Sequence, residues 1–197
     1  MTAFIQILLT ALMAVTTENI IFSGGIGFSR VLRAARKPKT LGMYAVFVTF
    51  FSLVSILFGS LWNPILMQSS LLIVLRPVIF ALIVAATYFA VAYTLQSFFP
   101  AFYKQWGQIL PPAAINTVVL SMPYIVKSMK FDLWNALGFA FGTGIAFFFA
   151  ALMLAYSMVR YKDNTDMPRA FSGLPAVLLY VGILSLAFAG FTGAKLF

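Results

Sequence analysis

The sequence predicts an all-α polytopic membrane protein with six transmembrane helices, arranged as two inverted three-helix repeats with broken helices 1 and 4. Two observations predict the membrane location. Only 9% of the residues are charged and 62% are hydrophobic, whereas soluble domains carry about a quarter charged residues. A third observation, a similarity between the two halves, predicts the repeats. We treat residues 1–197 as a single membrane domain, with one repeat over about 1–100 and the other over about 101–197.

Six apolar segments define the predicted helices. Each lies in a stretch with few or no charges, and roughly 20 apolar residues cross a bilayer as a helix. The predicted spans cover residues 3–22, 41–61, 71–95, 109–126, 133–158 and 172–194. Glycine and proline turns separate several of them. The connections are short and leave no room for a separate soluble domain.

The basic residues predict the orientation of the chain. Nine of the thirteen Lys and Arg residues fall in the first, third and fifth connections, and cytoplasmic loops collect Lys and Arg. We therefore expect a multi-pass protein of the cytoplasmic (inner) membrane with the N and C termini outside. The same distribution accounts for the net charge of +9 without a nucleic-acid partner. The first segment lacks the basic start of a signal peptide, so we expect it to be retained.

The two halves match at an offset of about 96 to 98 residues. Three matches follow one another in order: Asn19 with Asn116, Leu41-Gly42 with Leu137-Gly138, and Pro77 with Pro175. Because each repeat holds three spans, which is an odd number, the second copy must be inverted in the membrane. Inverted repeats are common in transporters, whose sites lie near the bilayer midplane at broken helices.

Helix breaks are predicted at corresponding positions of the first and fourth spans. The residues that break the helices are glycines in one span and prolines in the other, namely Gly24, Gly25, Gly27, Pro111 and Pro112. Irregular backbone is tolerated at membrane depth only where it is buried in protein or lines a cavity. We therefore expect both breaks to lie near the centre of the bundle.

Glu18 is the only charged residue among the first 29, and it precedes the first break. A carboxylate inside a membrane is costly and indicates function. Glu18, Asn19 and Asn116 are therefore candidates for an ion or proton pathway. The alternative is that Glu18 lies near the cytoplasmic end of its span and reaches water.

The chain contains no cysteine and no histidine. Their absence removes disulfides, thiolate nucleophiles, cysteine-held metal clusters and the commonest metal ligand. Four acidic residues remain, namely Glu18, Asp132, Asp163 and Asp166. We therefore expect no catalytic residue and no metal ligand in this chain, and no stand-alone catalysis.

Several segments resemble a known membrane family. The strongest are "YKQWGQILPPAAINTVVL" (103–120) and "MPRAFSGLPAVLLYVGILSLAFAGFTG" (167–193), with looser matches at 18–32 and 41–51. They resemble the six-span subunits of Rnf and Na⁺-translocating Nqr complexes, of the RnfA/NqrE type and related to RnfE/NqrD. The resemblance covers essentially the whole chain.

The resemblance implies a subunit that pairs, in opposite orientation, with a paralogous six-span membrane subunit, in a complex that also holds flavin or iron–sulfur redox subunits. In the family, each of the paired subunits supplies two cysteines to a [2Fe–2S] cluster midway through the membrane, while the complex moves Na⁺ or H⁺. Here Ser29 and Thr117 stand at the matching positions, with Gly25 as the alternative to Ser29. Iron in such clusters prefers soft thiolates, so we expect this chain to supply no cluster ligand and no cofactor of its own.

Three explanations of the missing cysteines stay open. The electron path of the complex bypasses this site, or the chain is an assembly partner that contributes no chemistry. In the third explanation the site has become an oxygen-rich cation site or proton relay, formed by Glu18, Asn19, Asn116, Thr117 and Ser29. The corresponding functions are an ion-translocating electron-transport subunit, a purely structural membrane partner, and a small cation transporter or channel that uses Glu18.

Two further features carry structural predictions. Arg76 opens the third span, where we expect it to extend to the membrane surface; the alternative is a pairing with an acid of a neighbouring chain. Three glycines lie at nearly helical spacing on the fifth span, namely Gly138, Gly142 and Gly144. Small residues let helices approach closely in lipid, so we expect these glycines to serve packing.

Overall fold

The computed structural model describes residues 3–66, 68–163 and 168–192, and all regular secondary structure within them is helical. The α-helices are α1 Ala3–Val15, α2 Phe28–Ala35, α3 Leu41–Leu66, α4 Ser70–Phe98, α5 Pro100–Trp106, α6 Leu110–Ala114, α7 Thr117–Ser128, α8 Leu133–Asp163 and α9 Leu174–Thr192. Short 3-10 turns at Pro38–Thr40 and Arg169–Phe171 precede α3 and α9. The predicted all-α fold class is confirmed.

Three helices, α3, α4 and α8, are long and apolar enough to cross a membrane in the part of the chain that the structure describes. The helices Pro100–Trp106 and Leu110–Ser128 pass the same test as one span bent by 70°. The predicted first and sixth spans correspond to shorter apolar helices. α1 ends at Val15, seven residues before the predicted boundary, and its 13 residues extend only about 20 Å.

α8 lies at the centre of the bundle and contacts α1, α2, α3 and α9. Two of its glycines let α1 approach closely. A Cβ added to Gly138 would collide with Thr10 and Ile7, and one added to Gly142 would collide with Ala11. On another side of α8, Gly144 lies against Thr49 of α3. The packing role predicted for these glycines is confirmed.

The helix contacts join the two halves of the chain. α1 of the first repeat packs against α8 of the second, while α6 and α7 of the second repeat pack against α3 of the first. The equivalent helices α3 and α8 contact each other. α1, from the first half, therefore packs on α8 of the second, and α6 and α7 pack on α3 of the first; the inverted repeat stays a prediction. α4 lies outside this core, and only Arg76, Phe80 and Val84 of its side chains are buried.

Candidate functional site

The first helix break extends from the end of α1 to the start of α2, and Asn19 organises it. The Oδ1 atom of Asn19 accepts hydrogen bonds from the backbone N–H groups of Ile21 and Phe22, both at 3.2 Å, and its Nδ2 donates to the carbonyl of Val15 at 2.9 Å. Acceptance from N–H groups two and three residues ahead is the geometry of a helix N-cap. Asn19 is 2% exposed, so these bonds replace partners that the break removes from buried backbone.

The glycines of the first break have separate structural roles. Gly25 and Gly27 adopt left-handed backbone, with φ of 66° and 79°, a conformation that glycine adopts without steric cost. Gly24 lies in the preceding turn, where an added Cβ would come within 2.9 Å of the carbonyl oxygen of Ile20. A Cβ on Gly27 would collide with the side chain of Val118 and lie 3.2 Å from Oδ1 of Asn116. Gly27 therefore brings the two breaks into contact.

The second break consists of Ile115 and Asn116, between α6 and α7. Asn116 caps α7, because its Oδ1 accepts a hydrogen bond from the N–H of Val118 at 3.2 Å. The side chain is fully buried, yet its Nδ2 has no hydrogen-bond partner within the described residues. Asn116 thus repeats the capping bond of Asn19, to the N–H two residues ahead, but leaves its amide donor unused.

The predicted helix-breaking prolines directly follow the 70° bend between Pro100–Trp106 and Leu110–Ser128. Pro111 and Pro112 lie in the first turn of α6, where proline is favoured because its missing N–H has no helical partner to lose. The hydroxyl of Tyr44 donates to the carbonyl of Pro112 at 2.7 Å, and the Tyr44 ring stacks on Phe147 with centroids 5.2 Å apart. Sequence reasoning missed Tyr44, because an aromatic residue in an apolar span is usually a packing or lipid-facing residue.

Ser29 and Thr117 each stand in the first turn of the helix that follows a break, Ser29 in α2 and Thr117 in α7. Both are exposed. Neither hydroxyl makes a hydrogen bond to any described residue. Since Gly27 contacts Val118, the two segments that carry these hydroxyls touch each other. The alternative position, Gly25, has no side chain to offer a ligand.

Glu18 precedes Asn19 and is half-buried. Its backbone N–H donates to the carbonyl of Met13 at 2.9 Å, while no Lys or Arg of the described residues pairs with its carboxylate. No hydrogen bond joins Glu18 to Asn116 or Thr117 across the described ranges. The structure therefore brings Gly27 and Asn116 together but does not join the carboxylate to the second break. No group of three or more His, Cys, Asp or Glu that could hold a metal is found among the described residues.

Arg76 packs against two aromatic rings inside the protein, and its predicted position at a membrane boundary stays a prediction. The side chain is 9% exposed, and its guanidinium carbon lies 4.4 Å from the ring centroid of Tyr124 and 5.7 Å from that of Phe80. Ring faces attract a desolvated guanidinium, which explains why the side chain stays inside. Tyr124 is 48 residues away along the chain, so no sequence signal connected the two.

Comparison with known proteins places this architecture among related membrane subunits. A family described as "Rnf-Nqr subunit, membrane protein" matches residues 7–195. The chain is 30% identical to a subunit of the ion-translocating oxidoreductase complex of Syntrophotalea carbinolica, over 95% of this chain and 97% of that protein. It is 26% identical to a subunit of the proton-translocating ferredoxin:NAD(+) oxidoreductase complex of Clostridium ljungdahlii, over 91% of this chain and 93% of that protein. It is 24% identical to a subunit of the Na(+)-translocating NADH-quinone reductase of Neisseria gonorrhoeae, over 93% of this chain and 95% of that protein.

Proposed function

The chain belongs to the Rnf-Nqr family of membrane subunits, and from that premise we propose that it is an integral membrane subunit of an ion-translocating electron-transport complex. The observation that carries the proposal is the match over residues 7–195, because it includes both helix breaks. The relatives' names describe subunits of ion-translocating oxidoreductases. Paired breaks in an inverted repeat are typical of transport folds, which agrees with this role.

The partner of this chain is a paralogous six-span subunit that covers the exposed residues at the breaks. Ile115 is 50% exposed, and Ser29 and Thr117 are exposed with unpaired hydroxyls. Polar groups at membrane depth require a protein or water partner. A second membrane subunit would supply one, and flavin or iron–sulfur redox subunits complete the complex. The complex belongs in the cytoplasmic membrane, with both termini of this chain outside.

The residues at the breaks do not fit a [2Fe–2S] cluster. The chain has no cysteine, and the family positions hold the hydroxyls of Ser29 and Thr117, which are hard, weakly acidic donors, whereas such clusters are held by thiolates. We infer that this subunit supplies no iron ligand. The electron path then either bypasses it or depends on ligands from the partner.

A second candidate function is cation or proton movement through the breaks. Glu18 is half-buried and has no described basic partner, and it precedes the capping asparagine of the first break. Carboxylate, amide and hydroxyl oxygens can bind a hard cation or relay a proton. Glu18, Asn19, Asn116 and Thr117 would form this pathway, either within the complex or in a small transporter or channel.

The subunit role is tested by purifying the tagged chain from its native membranes in a mild detergent. We expect a second six-span protein and redox subunits to co-purify with it. Iron content and the visible absorption of a [2Fe–2S] centre are then measured on the same sample. Iron in proportion to a cysteine-bearing partner assigns the cluster to that partner. Recovery of the chain alone, without membrane or redox partners, would contradict the subunit role and favour the independent transporter.

A further inference from the structure

Unpaired polar atoms gather at the end of α7 that lies away from Asn116. Five of the eight buried side-chain N and O atoms that lack a hydrogen-bond partner in the described ranges lie in this region: Oδ1 of Asn63, Nε and Nη2 of Arg76, the hydroxyl of Tyr124 and Nζ of Lys127. We call these residues, together with Lys130, the α7-end cluster. Four of the five atoms are hydrogen-bond donors, and such groups are costly to bury without an acceptor.

A cavity of about 410 Å³ opens beside the cluster, between the ends of α3 and α7. Its polar wall includes Asn63, Lys127 and Lys130, and its apolar wall includes Ile56, Pro64 and Phe131. The cavity therefore combines positive charge with apolar surface. It lies where α3 and α7 end and α8 begins, and we expect the ends of spanning helices to lie near the lipid headgroups.

The backbone holds Lys130 in an uncommon conformation at this cavity. Its φ is 54°, and Lys130 is the one non-glycine residue with positive φ among those described. The N–H of Phe131 donates to the carbonyl of Val126 at 3.0 Å, and that of Lys130 donates to Lys127 at 3.1 Å. These are the two bonds of a Schellman motif, whose left-handed residue is usually glycine. A lysine at this position adds strain, and strained residues concentrate at functional sites.

Arg76, Lys127 and Lys130 have no acidic partner within the described residues. The nearby acid in sequence, Asp132, is exposed and accepts a hydrogen bond from the N–H of Asn135 at 2.9 Å. Arg76, Lys127 and Lys130 also lie outside the connections that hold most of the positive charge. The preference of Lys and Arg for cytoplasmic loops therefore does not explain the positions of these three cations.

We propose that the members of the α7-end cluster that line this cavity, Asn63, Lys127 and Lys130, bind the phosphate-bearing headgroup of a phospholipid from the adjacent leaflet. Phosphate oxygens would accept hydrogen bonds from Lys127 and Lys130, which are suitable donors for anionic headgroups. The buried Oδ1 of Asn63 needs a donor, and the hydroxyl of a phosphoglycerol or the ammonium of a phosphoethanolamine headgroup provides one. The apolar wall accommodates the start of an acyl chain. An acidic side chain of a partner would leave Oδ1 of Asn63 without a donor.

The test uses the full chain, purified in dodecyl maltoside and depleted of lipid. Dioctanoyl phosphatidylglycerol or dioctanoyl phosphatidylethanolamine is added, and the midpoint of thermal unfolding is measured. We expect a rise of about 5 °C near saturation and a smaller rise with dioctanoyl phosphatidylcholine, whose headgroup has no donor. Lys127→Gln should lower the affinity for phosphatidylglycerol by about tenfold. Lys104→Gln is the matched control, because Lys104 is exposed on α5, and it should behave as the native chain.

Lys127→Arg keeps the charge and should keep the lipid effect, which separates loss of binding from loss of folding. Lys130→Gln provides a second charge-removing variant if Lys127→Gln does not fold. An unchanged affinity in both glutamine variants would overturn the proposal. An equal rise with dioctanoylglycerol, which lacks phosphate, would also overturn it. Inorganic phosphate that reproduces the full rise would assign the site to a free anion. Native lipid binding in Lys127→Gln together with loss of the co-purifying subunits would assign the cluster to a protein contact.

Discussion

The first helix break and the second differ in length although one asparagine organises each. Residues 16 to 27 separate α1 from α2, whereas only Ile115 and Asn116 separate α6 from α7. Asn19 uses both groups of its side-chain amide, while Asn116 uses its oxygen alone. The shared element is therefore the acceptor that caps the next turn. The extra length, the left-handed glycines and the carboxylate belong to the first break only.

The contact between the breaks should have the largest effect on stability. Gly27→Ala places a Cβ against Val118 in a left-handed backbone conformation, and we expect a loss of about 3 kcal/mol or more. Gly25→Ala is the matched control, since Gly25 has a similar φ but open space around it, and should lose about 1–2 kcal/mol. Thermal and denaturant unfolding of the purified chain measures both. Equal losses would mean that the two breaks do not press on each other.

The two asparagines should differ in the free energy that they contribute. Asn19→Ala removes three hydrogen bonds and should cost about 2–3 kcal/mol. Asn116→Ala removes one capping bond and should cost about 1 kcal/mol. Each variant serves as the control for the other in the same unfolding measurement. A loss at Asn116 as large as the loss at Asn19 would contradict this difference between the two caps.

Charge distinguishes the breaks most clearly, because Glu18 aligns with Ile115. If the first break carries ions or protons, Glu18→Gln should lower ion-coupled activity of the complex by about tenfold or more, while the subunits still assemble. Asp132→Asn is the control, since this exposed acid can keep its capping bond to Asn135 as an amide. Ion uptake into vesicles that contain the complex is measured for the native protein and both variants. Native uptake by Glu18→Gln would remove the carboxylate from the pathway.

The support beneath the second break should have the smallest effect. Tyr44→Phe removes the hydrogen bond to the Pro112 carbonyl and keeps the ring that stacks on Phe147. We expect a loss of about 1 kcal/mol in the unfolding free energy. Tyr88→Phe is a suitable control, because the Tyr88 hydroxyl makes no hydrogen bond to the described residues. A loss at position 44 no larger than at position 88 would show that α6 does not need this support.

The sequence predicted the long helices well and the first span poorly. α3, α4 and α8 start and end within a few residues of the predicted segments, except that α3 and α8 extend about five residues further at their C-terminal ends. Their long apolar runs are compatible with few structures other than a spanning helix. α1 was predicted to reach residue 22 and ends at Val15, because the Asn19 side chain competes for backbone partners. Such competition depends on local geometry, which composition does not reveal.

The sequence named several residues of the candidate site but did not predict the contacts between them. Asn19 and Asn116 were identified from the repeat, and Gly27 was named as a breaking residue, but its contact with Val118 depends on tertiary packing. The α7-end cluster was not predicted. Lys127 and Lys130 look like an ordinary connection in the sequence, and Arg76 looks like a residue at a membrane boundary. The burial of Arg76 and of the Lys127 amino group, and the left-handed backbone of Lys130, depend on tertiary packing and local geometry.

The packing of α1 against α8 has a consequence for how the protein is made. α1 leaves the ribosome before α8, and the surface formed by Gly138 and Gly142 that receives it follows more than a hundred residues later in the chain. Until then α1 must wait in the bilayer, or beside an insertion factor, with its small-residue face uncovered. The first half of the chain therefore cannot complete its fold before the second half is inserted, although domains usually fold in the order of synthesis. A chain that ends before α8 would therefore leave the α1 surface that Gly138 and Gly142 contact without its partner.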